Sequence, residues 1–364
     1  MKNLDTFFCT PSSADLTAAV PAVRQCALFS VHGNNGRAKR ALLHALTVYA
    51  QNRRIPCDRI LDAHNADKIT AVYAPLQHVF AADGDYFSDF FKAHSENLCF
   101  SLHTNDFTDT ARAAYCRAEC ADLQKAETQA AARADMLCKA AAQQKQRITE
   151  HLTPYCNKAR LAHTVLKYSE RYLPPKADRK TDGKILFRRT LSGLTEWGVH
   201  TVYSPFSAPG CTRILLCDPS GCFAPALLDG FAAACTACGY NVRLYRCALR
   251  GVTEHLTVPA LSLAICTENE AHPFPFTAQT VLHTKNFLKP DAVKLPAAQL
   301  RHCIRTADTL SEEAAFSLYE AAQARRTREK LFAGFTDNKR LLLAKNLLLQ
   351  RFFSVQQNDE NKFI

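Results

Sequence analysis

The hydrophobic pattern of the N-terminal part of the chain alternates short apolar runs with segments of helical spacing. The apolar run at 26–31 predicts a buried strand, and the apolar spacing at 41–53 predicts a helix. Two further runs, at 58–63 and 69–74, predict two more strands. This alternation is typical of an α/β fold with a parallel sheet.

A long helical segment follows this pattern. No glycine occurs between Gly84 and Gly183, and residues 111–172 are rich in Ala, Gln, Lys, Arg and Glu, with apolar positions at helical spacing. Pro154 interrupts the spacing, which predicts two long helices or a helical hairpin. The polar, proline-containing stretch at 173–183 predicts a linker.

A second α/β pattern begins after this linker. Apolar runs at 201–217 are followed by the turn D-P-S-G at 218–221 and by a helical pattern at 226–238. The runs at 241–248 and 261–266 predict two more strands. The order strand, glycine turn, helix, strand, strand therefore occurs twice.

The two ends of the chain follow other patterns. Residues 1–25 predict irregular structure. After Pro296 the chain is helical, with Ser-Glu-Glu at 311–313 as a predicted N-terminal cap. An amphipathic helix at 340–353 is expected to pack on the body of the protein, and a polar tail follows from Gln356.

Short motifs also recur in the two α/β patterns. T-P-x-S-A at 10–14 returns as S-P-x-S-A at 204–208, and A-L-L follows each glycine turn, at 41–43 and 226–228. Because the matches keep the same order in both halves, we predict an internal duplication.

The loop between the first strand and its helix carries the candidate chemistry. In a phosphate-binding loop, G-x-x-x-x-G-K-[ST], backbone N–H groups surround the phosphates, the lysine bridges them and the hydroxyl binds Mg²⁺. Here Ala38 stands at the second glycine, Lys39 at the lysine and Arg40 at the hydroxyl. No magnesium ligand is therefore predicted, and the alternative is that Lys39 and Arg40 are exposed residues of a helical first turn. The residues predicted to contact a phosphate or nucleotide are Gly33, Gly36, Arg37, Ala38, Lys39 and Arg40.

The corresponding loop of the second half departs further from the motif. Residues 33–40 align with 218–225, where only Gly221 is retained and no lysine is present. Asp218 would repel a phosphate, whereas Pro225 suits the first turn of a helix. We predict that this half keeps the loop–helix shape without binding phosphate.

Other candidate groups give no catalytic set. The predicted strand at 69–74 ends without the acidic residue that usually orders magnesium, and Glu268 lies just beyond its counterpart. Asp62 ends a neighbouring strand and could reach a metal at the first loop, but a surface carboxylate is the simpler explanation. His78 and His272 occupy matching places in the two halves. A catalytic role would need a partner that the sequence does not identify, so both are expected to be packed or hydrogen-bonded.

The second half also carries a resemblance. The segments Y-R-C at 245–247, V-P-A-L at 258–261 and L-A-I at 263–265 precede His272 in that order. Over most of residues 1–300 the chain resembles a family of uncharacterised bacterial proteins with two tandem P-loop ATPase-like domains. The resemblance implies an α/β fold of two P-loop NTPase-like three-layer domains in tandem, with an α-helical insertion between them and ATP or another nucleotide as ligand.

Four segments follow from the pattern and the resemblance. The first P-loop NTPase-like domain is predicted at 1–104, and the α-helical insertion with its linker at 105–180. The second, degenerate domain is predicted at 181–297, and a C-terminal helical segment at 298–364.

Cysteine usage, apolar run length and net charge indicate the location of the protein and its kinds of partner. The 16 cysteines mostly lie singly in apolar stretches and no signal peptide precedes them, which predicts free thiols and a cytoplasmic location. The longest apolar runs are shorter than the roughly 20 residues of a membrane helix, so no membrane partner is predicted. The net charge of +11 suits a polyanionic partner, but a solvated basic surface explains it equally well.

Three functions remain open. The leading hypothesis is a degenerate tandem P-loop protein with weak or no hydrolysis, which binds nucleotide or phosphate at the first loop and acts through a protein partner. The second is an active ATPase or nucleotide kinase-like enzyme with an unusual loop. The third is a nucleic-acid-binding protein, with Trp197, Phe274 and Phe276 as candidate stacking residues. The two phenylalanines lie in a proline-rich loop that can equally be a packing corner.

Overall fold

The structure is a computed structural model in which most of the sequence is described. The centre of the predicted linker, Pro296 and the tail from Gln356 lie outside the described residues. The described residues are 4–174, 182–270, 272–290 and 297–354.

The described chain forms an α/β protein. Its helices are α1 (Ser13–Ala19), α2 (Gly36–Arg53), α3 (Ser88–Ala93), α4 (Thr110–Tyr115), α5 (Arg117–Leu152), α6 (Lys158–Tyr172), α7 (Ala224–Ala237), α8 (Ala297–Ala333) and α9 (Asn338–Ser354). Its strands are β1 (Leu4–Cys9), β2 (Ala27–His32), β3 (Cys57–Asp62), β4 (Asn65–Ala74), β5 (Val79–Asp83), β6 (Cys99–His103), β7 (Ile185–Thr190), β8 (Ser192–Thr195), β9 (Gly198–Thr201), β10 (Thr212–Cys217), β11 (Val242–Arg246), β12 (Thr253–Val258), β13 (Leu263–Glu268) and β14 (Thr280–His283).

The chain divides into two compact units. Unit 1 contains residues 1–134 and 316–364, and unit 2 contains residues 135–315. The boundaries fall within α5 and α8, so each unit includes one part of each long helix. The compact units therefore do not coincide with the four predicted segments.

Unit 1 contains a mixed, mostly parallel sheet. Its strand order is β1-β3-β4-β5-β2-β6, in which β4 runs antiparallel to both of its neighbours and the other pairs are parallel. Every residue of β5 is buried, as expected for a strand inside such a sheet. The helix α2 packs against β4 and α9, and the aromatic ring of Phe352 lies against Phe29 on β2. The predicted packing of the last amphipathic helix is confirmed.

Unit 2 repeats this arrangement. Its strand order is β7-β11-β12-β13-β10-β14, with the same pairing directions as in unit 1, and a separate hairpin is formed by β8 and β9. Ala27 of β2 lies opposite Val79, and Thr212 of β10 lies opposite Leu263. The loop beginning at Gly33 is therefore equivalent to the loop beginning at Asp218. The two halves share one topology, as the sequence repeat predicts.

Two local expectations are wrong. The N-terminal residues form β1 and α1 instead of irregular structure, because Leu4–Cys9 pairs with β3 across a long sequence separation. Residues 311–313 lie inside α8, where the helix continues through the predicted cap. The strand that pairs with β2 is β5, because two tight turns fold β3, β4 and β5 into a meander.

Candidate functional site

The loop after β2 is short and tightly held. Gly33 has a φ of 108°, and a side chain there would collide with Oγ1 of the buried Thr104 at the end of β6. The helix α2 begins three residues later, where the side chain of Asn35 accepts a hydrogen bond from Ala38 N at 3.0 Å. An N-terminal cap of this kind accepts from a backbone N–H that would otherwise be free to donate to a bound anion.

Lys39 is buried at the base of this loop. Its Nζ donates to Asp83 Oδ1 at 2.7 Å and to Asp85 Oδ2 at 2.9 Å. Asp83 is the last residue of β5, and it also accepts from the backbone amides of Asp85 and Tyr86. The neighbouring strand of β2 therefore does end in an acidic residue. The expectation that this acidic residue is missing is wrong, because the prediction looked for it at the end of the strand at 69–74, which is β4.

The carboxylate of Asp85 accepts hydrogen bonds from the loop and from Lys39. Its Oδ2 accepts from Gly33 N at 2.9 Å as well as from Lys39, and its Oδ1 lies 3.1 Å from His32 Nδ1. Burial alone would raise the pKa of Asp85, but Lys39, His32 and the Gly33 amide together lower the pKa below its ordinary value. Half of this side chain is exposed, so it can move without opening the core.

A cavity of about 310 Å³ opens beside these groups; we call it the loop cavity. Arg40 and Arg328 line it and pair with Glu329 and Glu127 at 2.6 and 2.7 Å. Arg325 also lines it and forms no ion pair with any carboxylate of the described residues. The cationic side chains of its lining are Lys39, Arg40, Lys68, Arg325 and Arg328.

Lys68 in the cavity wall pairs with Asp62 at 2.9 Å, on the neighbouring strand. Burial lowers the pKa of Lys68, but Asp62 outweighs it and raises the pKa; Lys68 in turn holds the pKa of Asp62 below its ordinary value against the effect of burial. Asp62 is therefore a mostly buried ion-pair partner, and its prediction as a surface carboxylate is wrong.

The side chains at this loop are not arranged to bind magnesium. Asp83 is occupied by Lys39 and two amides, and Arg40, at the position of the metal-binding hydroxyl, is paired with Glu329. Among the described residues no group of three or more His, Cys, Asp or Glu is arranged to hold a metal ion.

The predicted contact residues are only partly brought together. Gly33, Gly36, Lys39 and Arg40 line the loop cavity. Arg37 is exposed and Ala38 is buried, and neither lines the cavity. The polar and charged residues that the sequence interpretation missed come from the loop itself, from β4, from the end of β5 and the turn after it, and from the two long helices. The only local signal for any of them is an acidic residue directly after the apolar run at 79–82. They are Asn34, Lys68, Asp83, Asp85, Gln124, Glu127, Arg325, Arg328 and Glu329.

The equivalent loop of unit 2 is closed by its own aspartate. Asp218 is fully buried, and its Oδ2 accepts from Phe223 N at 2.9 Å and from Ala224 N at 2.7 Å. Its Oδ1 accepts from the hydroxyls of Ser220 and Thr284. The carboxylate thus caps α7 from inside the loop. Pro225 lies in the first turn of α7, as predicted.

The two histidines are not equivalent. His78 precedes β5 and is exposed with a φ of 50°; its counterpart in unit 2 is Ser262, which precedes β13 with a φ of 46°. His272 follows β13, and its Nε2 lies 3.2 Å from Glu254 Oε1 while its Nδ1 lies 3.0 Å from Thr201 Oγ1. Only His272 is packed and hydrogen-bonded as expected.

The candidate stacking aromatics of unit 2 differ in their surroundings. Trp197 is 75% exposed at the β8–β9 turn. Phe274 and Phe276 pack edge-on against each other and against Tyr203, with ring centres 5.5–6.3 Å apart. The proline-rich loop is therefore a packing corner.

The function has to be inferred from the residues of the site, because comparisons with known proteins add no evidence. No protein-family model, curated protein or solved structure matches this chain. Within the described residues, no helix is both long and apolar enough to cross a membrane.

Proposed function

We propose that unit 1 binds a small phosphate-bearing ligand in the loop cavity without hydrolysing it, and that the protein acts through a partner that senses this binding. The observation that carries the proposal is the position of Asp85. One carboxylate oxygen accepts from both the loop amide of Gly33 and the ammonium of Lys39. These are the two kinds of donor that hold phosphate in P-loop proteins.

The surrounding charges support an anionic ligand. If the half-exposed Asp85 side chain moves away, the donors of Gly33 and Lys39 become available, and Arg325 adds a cation that no described carboxylate neutralises. A ligand must compete with an internal anion, so we expect modest affinity. The paired Asp83 and Arg40 argue against magnesium-dependent hydrolysis. In unit 2 the buried Asp218 argues against a second phosphate site.

Calorimetry with pyrophosphate, ADP and ATP tests this proposal. We expect binding to the whole protein that falls at least tenfold in Arg325→Ala and stays unchanged in Lys92→Ala, whose side chain is 76% exposed on α3. Binding of none of these compounds, even to Asp85→Asn, would overturn the proposal. ATP turnover that requires magnesium and disappears in Lys39→Ala would instead favour the ATPase hypothesis.

A further inference from the structure

The duplication extends beyond the two sheets to the helices that follow them. The motif H-T-x-x-F begins at the last residue of β6, at 103–107, and again at the last residue of β14, at 283–287. The long helix α5 and the shorter helix α6 come after the first motif, and the long helix α8 and the shorter helix α9 come after the second. We call the chain from β1 to α6 the first repeat and the chain from β7 to α9 the second repeat.

The shorter helix of each repeat packs in the unit that contains the sheet of the other repeat. Unit 2 holds α6 of the first repeat, and unit 1 holds α9 of the second. In unit 2, Val165 of α6 lies so close to α7 that its Cγ2 is 3.0 Å from the position of a Cβ at Gly230. In unit 1, Phe353 of α9 stacks on Tyr49 of α2, with ring centres 4.7 Å apart. The equivalent helices α2 and α7 are therefore each covered by a helix of the other repeat.

Matching backbone hydrogen bonds hold the start of both exchanged helices. Residues 155–157, directly before α6, pair with 287–289 of the second repeat, and residues 335–337, directly before α9, pair with 107–109 of the first. The four bonds are 2.7–2.8 Å long and run from Asn157 N to Phe287 O, from Lys289 N to Tyr155 O, from Asp337 N to Phe107 O and from Asp109 N to Phe335 O. The same contact is thus made twice with the repeats in exchanged roles, as in a two-fold symmetric pair.

The exchange also brings residues of both repeats to each loop. Lys39 at the loop cavity belongs to the first repeat, whereas Arg325 and Arg328 come from α8 of the second. In unit 2, Thr149 of α5 donates to the Sγ of Cys222, in the loop after β10, at 3.3 Å. Each loop is therefore contacted by a long helix of the other repeat.

We propose that the two repeats are each other's binding partners, joined in the manner of a helix-swapped dimer, and that the linker between them is not needed for their association. The linker connects α6 to β7, which both lie in unit 2, so it does not connect the two units. Each unit instead combines residues of both repeats. Exchange of an element is a low-cost route to dimers, because the swapped element makes the contacts that already stabilise the fold. This inference does not depend on the ligand of the loop cavity.

Cleavage of the linker in the full chain tests the proposal. A recognition sequence for a site-specific protease is inserted within residues 175–181, and the cleaved protein is followed by size-exclusion chromatography with light scattering. We expect the two fragments to elute as one complex with the mass of the uncleaved protein at micromolar concentration, and to separate only in denaturant. Separation of the fragments in native buffer would overturn the proposal.

Single substitutions distinguish helix exchange from other contacts between the fragments. Val165→Asp places a charge between α6 and α7, and the adjacent Leu166→Asp, at a side chain that is 57% exposed, is its matched control. On α9, Leu348→Asp and its control Leu347→Asp form the same kind of pair, since these side chains are 3% and 43% exposed.

Hydrogen exchange of the uncleaved variants, measured by mass spectrometry, locates the effect of each substitution. We expect exchange at least tenfold faster in α7 for Val165→Asp and in α2 for Leu348→Asp, with wild-type rates in both controls. The destabilised helix then belongs to the repeat that does not carry the substitution. Wild-type exchange in that helix, with faster exchange only in the repeat that carries the substitution, would contradict the exchange.

Discussion

The ammonium group of Lys39 lies 2.7 Å from the carboxylate of Asp83, linking the start of α2 to the carboxyl end of β5. Only about a tenth of each side chain is exposed. A buried charge is stable only with its partner, so the pair ties the loop lysine to the sheet. The position of the lysine charge beside the loop thus depends on a residue 44 positions away.

Breaking this pair should destabilise unit 1. Lys39→Met leaves Asp83 without its cation, and we expect the free energy of unfolding to fall by about 3 kcal/mol, in the range found when one partner of a buried pair is removed. The double variant Lys39→Met/Asp83→Asn should recover part of this loss, because neither charge remains. Urea denaturation of wild type, both single variants and the double variant measures the coupling. Simple additivity of the two losses would show that the pair is not energetically coupled.

Replacing Asp85 should strengthen anion binding. In Asp85→Asn the negative charge that competes for Gly33 N and Lys39 is gone, and we expect pyrophosphate to bind about tenfold more tightly, equivalent to about 1.4 kcal/mol. Asp89→Asn is the control, since that carboxylate is 83% exposed on α3 and pairs with Lys92 at 3.6 Å. Unchanged or weaker binding in Asp85→Asn would refute the idea that Asp85 competes with the ligand.

Gly33 should not tolerate a side chain. Its φ of 108° disfavours L residues, and a Cβ would also collide with Thr104. Gly210→Ala is a matched control, because Gly210 has a φ of 73° with no atom near the position of a Cβ. We expect Gly210→Ala to cost about 1–2 kcal/mol from conformation alone and Gly33→Ala to cost more. Similar melting temperatures for the two variants would mean that the loop relaxes around the methyl group.

Asp218 should matter for stability and not for ligand binding. Asp218→Ala removes the cap of α7 and leaves buried amides without an acceptor, so we expect a loss of about 3 kcal/mol. Asp218→Asn keeps one oxygen and should lose less. Denaturation gives the stability, and calorimetry at a temperature where each variant is folded gives the binding. Weaker pyrophosphate binding in folded Asp218→Asn would show that the second loop takes part in the site.

Buried His255 should make the protein less stable in mild acid. Burial lowers the pKa of His255 to about 4, while Glu254 opposes this shift and His272 adds to it. His255 Nδ1 accepts from Thr267 N, which fits the neutral ring. Between pH 6.5 and 4 the unfolded chain binds a proton that the folded chain excludes, so stability falls by up to about 3 kcal/mol as the pH decreases through this range.

The variant His255→Gln tests this assignment. It cannot titrate, so the part of the decline that His255 causes should disappear, whereas His163→Gln, at an exposed position of α6, should keep the wild-type decline. Urea denaturation at pH 7, 5.5 and 4.5 measures the three slopes. A slope in His255→Gln equal to that of wild type would assign the pH dependence to other groups.

Several elements could be predicted because their patterns are local. The run 26–31 and the helix after it correspond to β2 and α2, and the interruption at Pro154 separates α5 from α6. The motif alignment of the two loops agrees with the strand register, since both make Gly33 of the first half equivalent to Asp218 of the second half. The strands β1, β5 and β6 of unit 1 were missed, because nothing in a segment of five or six residues specifies its partner in the sheet.

The α/β class, the duplicated order of elements and the absence of a serine or threonine at position 40 follow from the sequence alone, because each depends on residue type or local spacing. Which charges meet at the loop depends instead on how distant parts of the chain pack together. Asp83 and Asp85 reach Lys39 through the parallel pairing of β2 with β5, and Arg325 and Arg328 reach the same cavity from a helix almost three hundred residues further along the chain. Contacts over such separations arise from packing and strand pairing, and no local pattern encodes them.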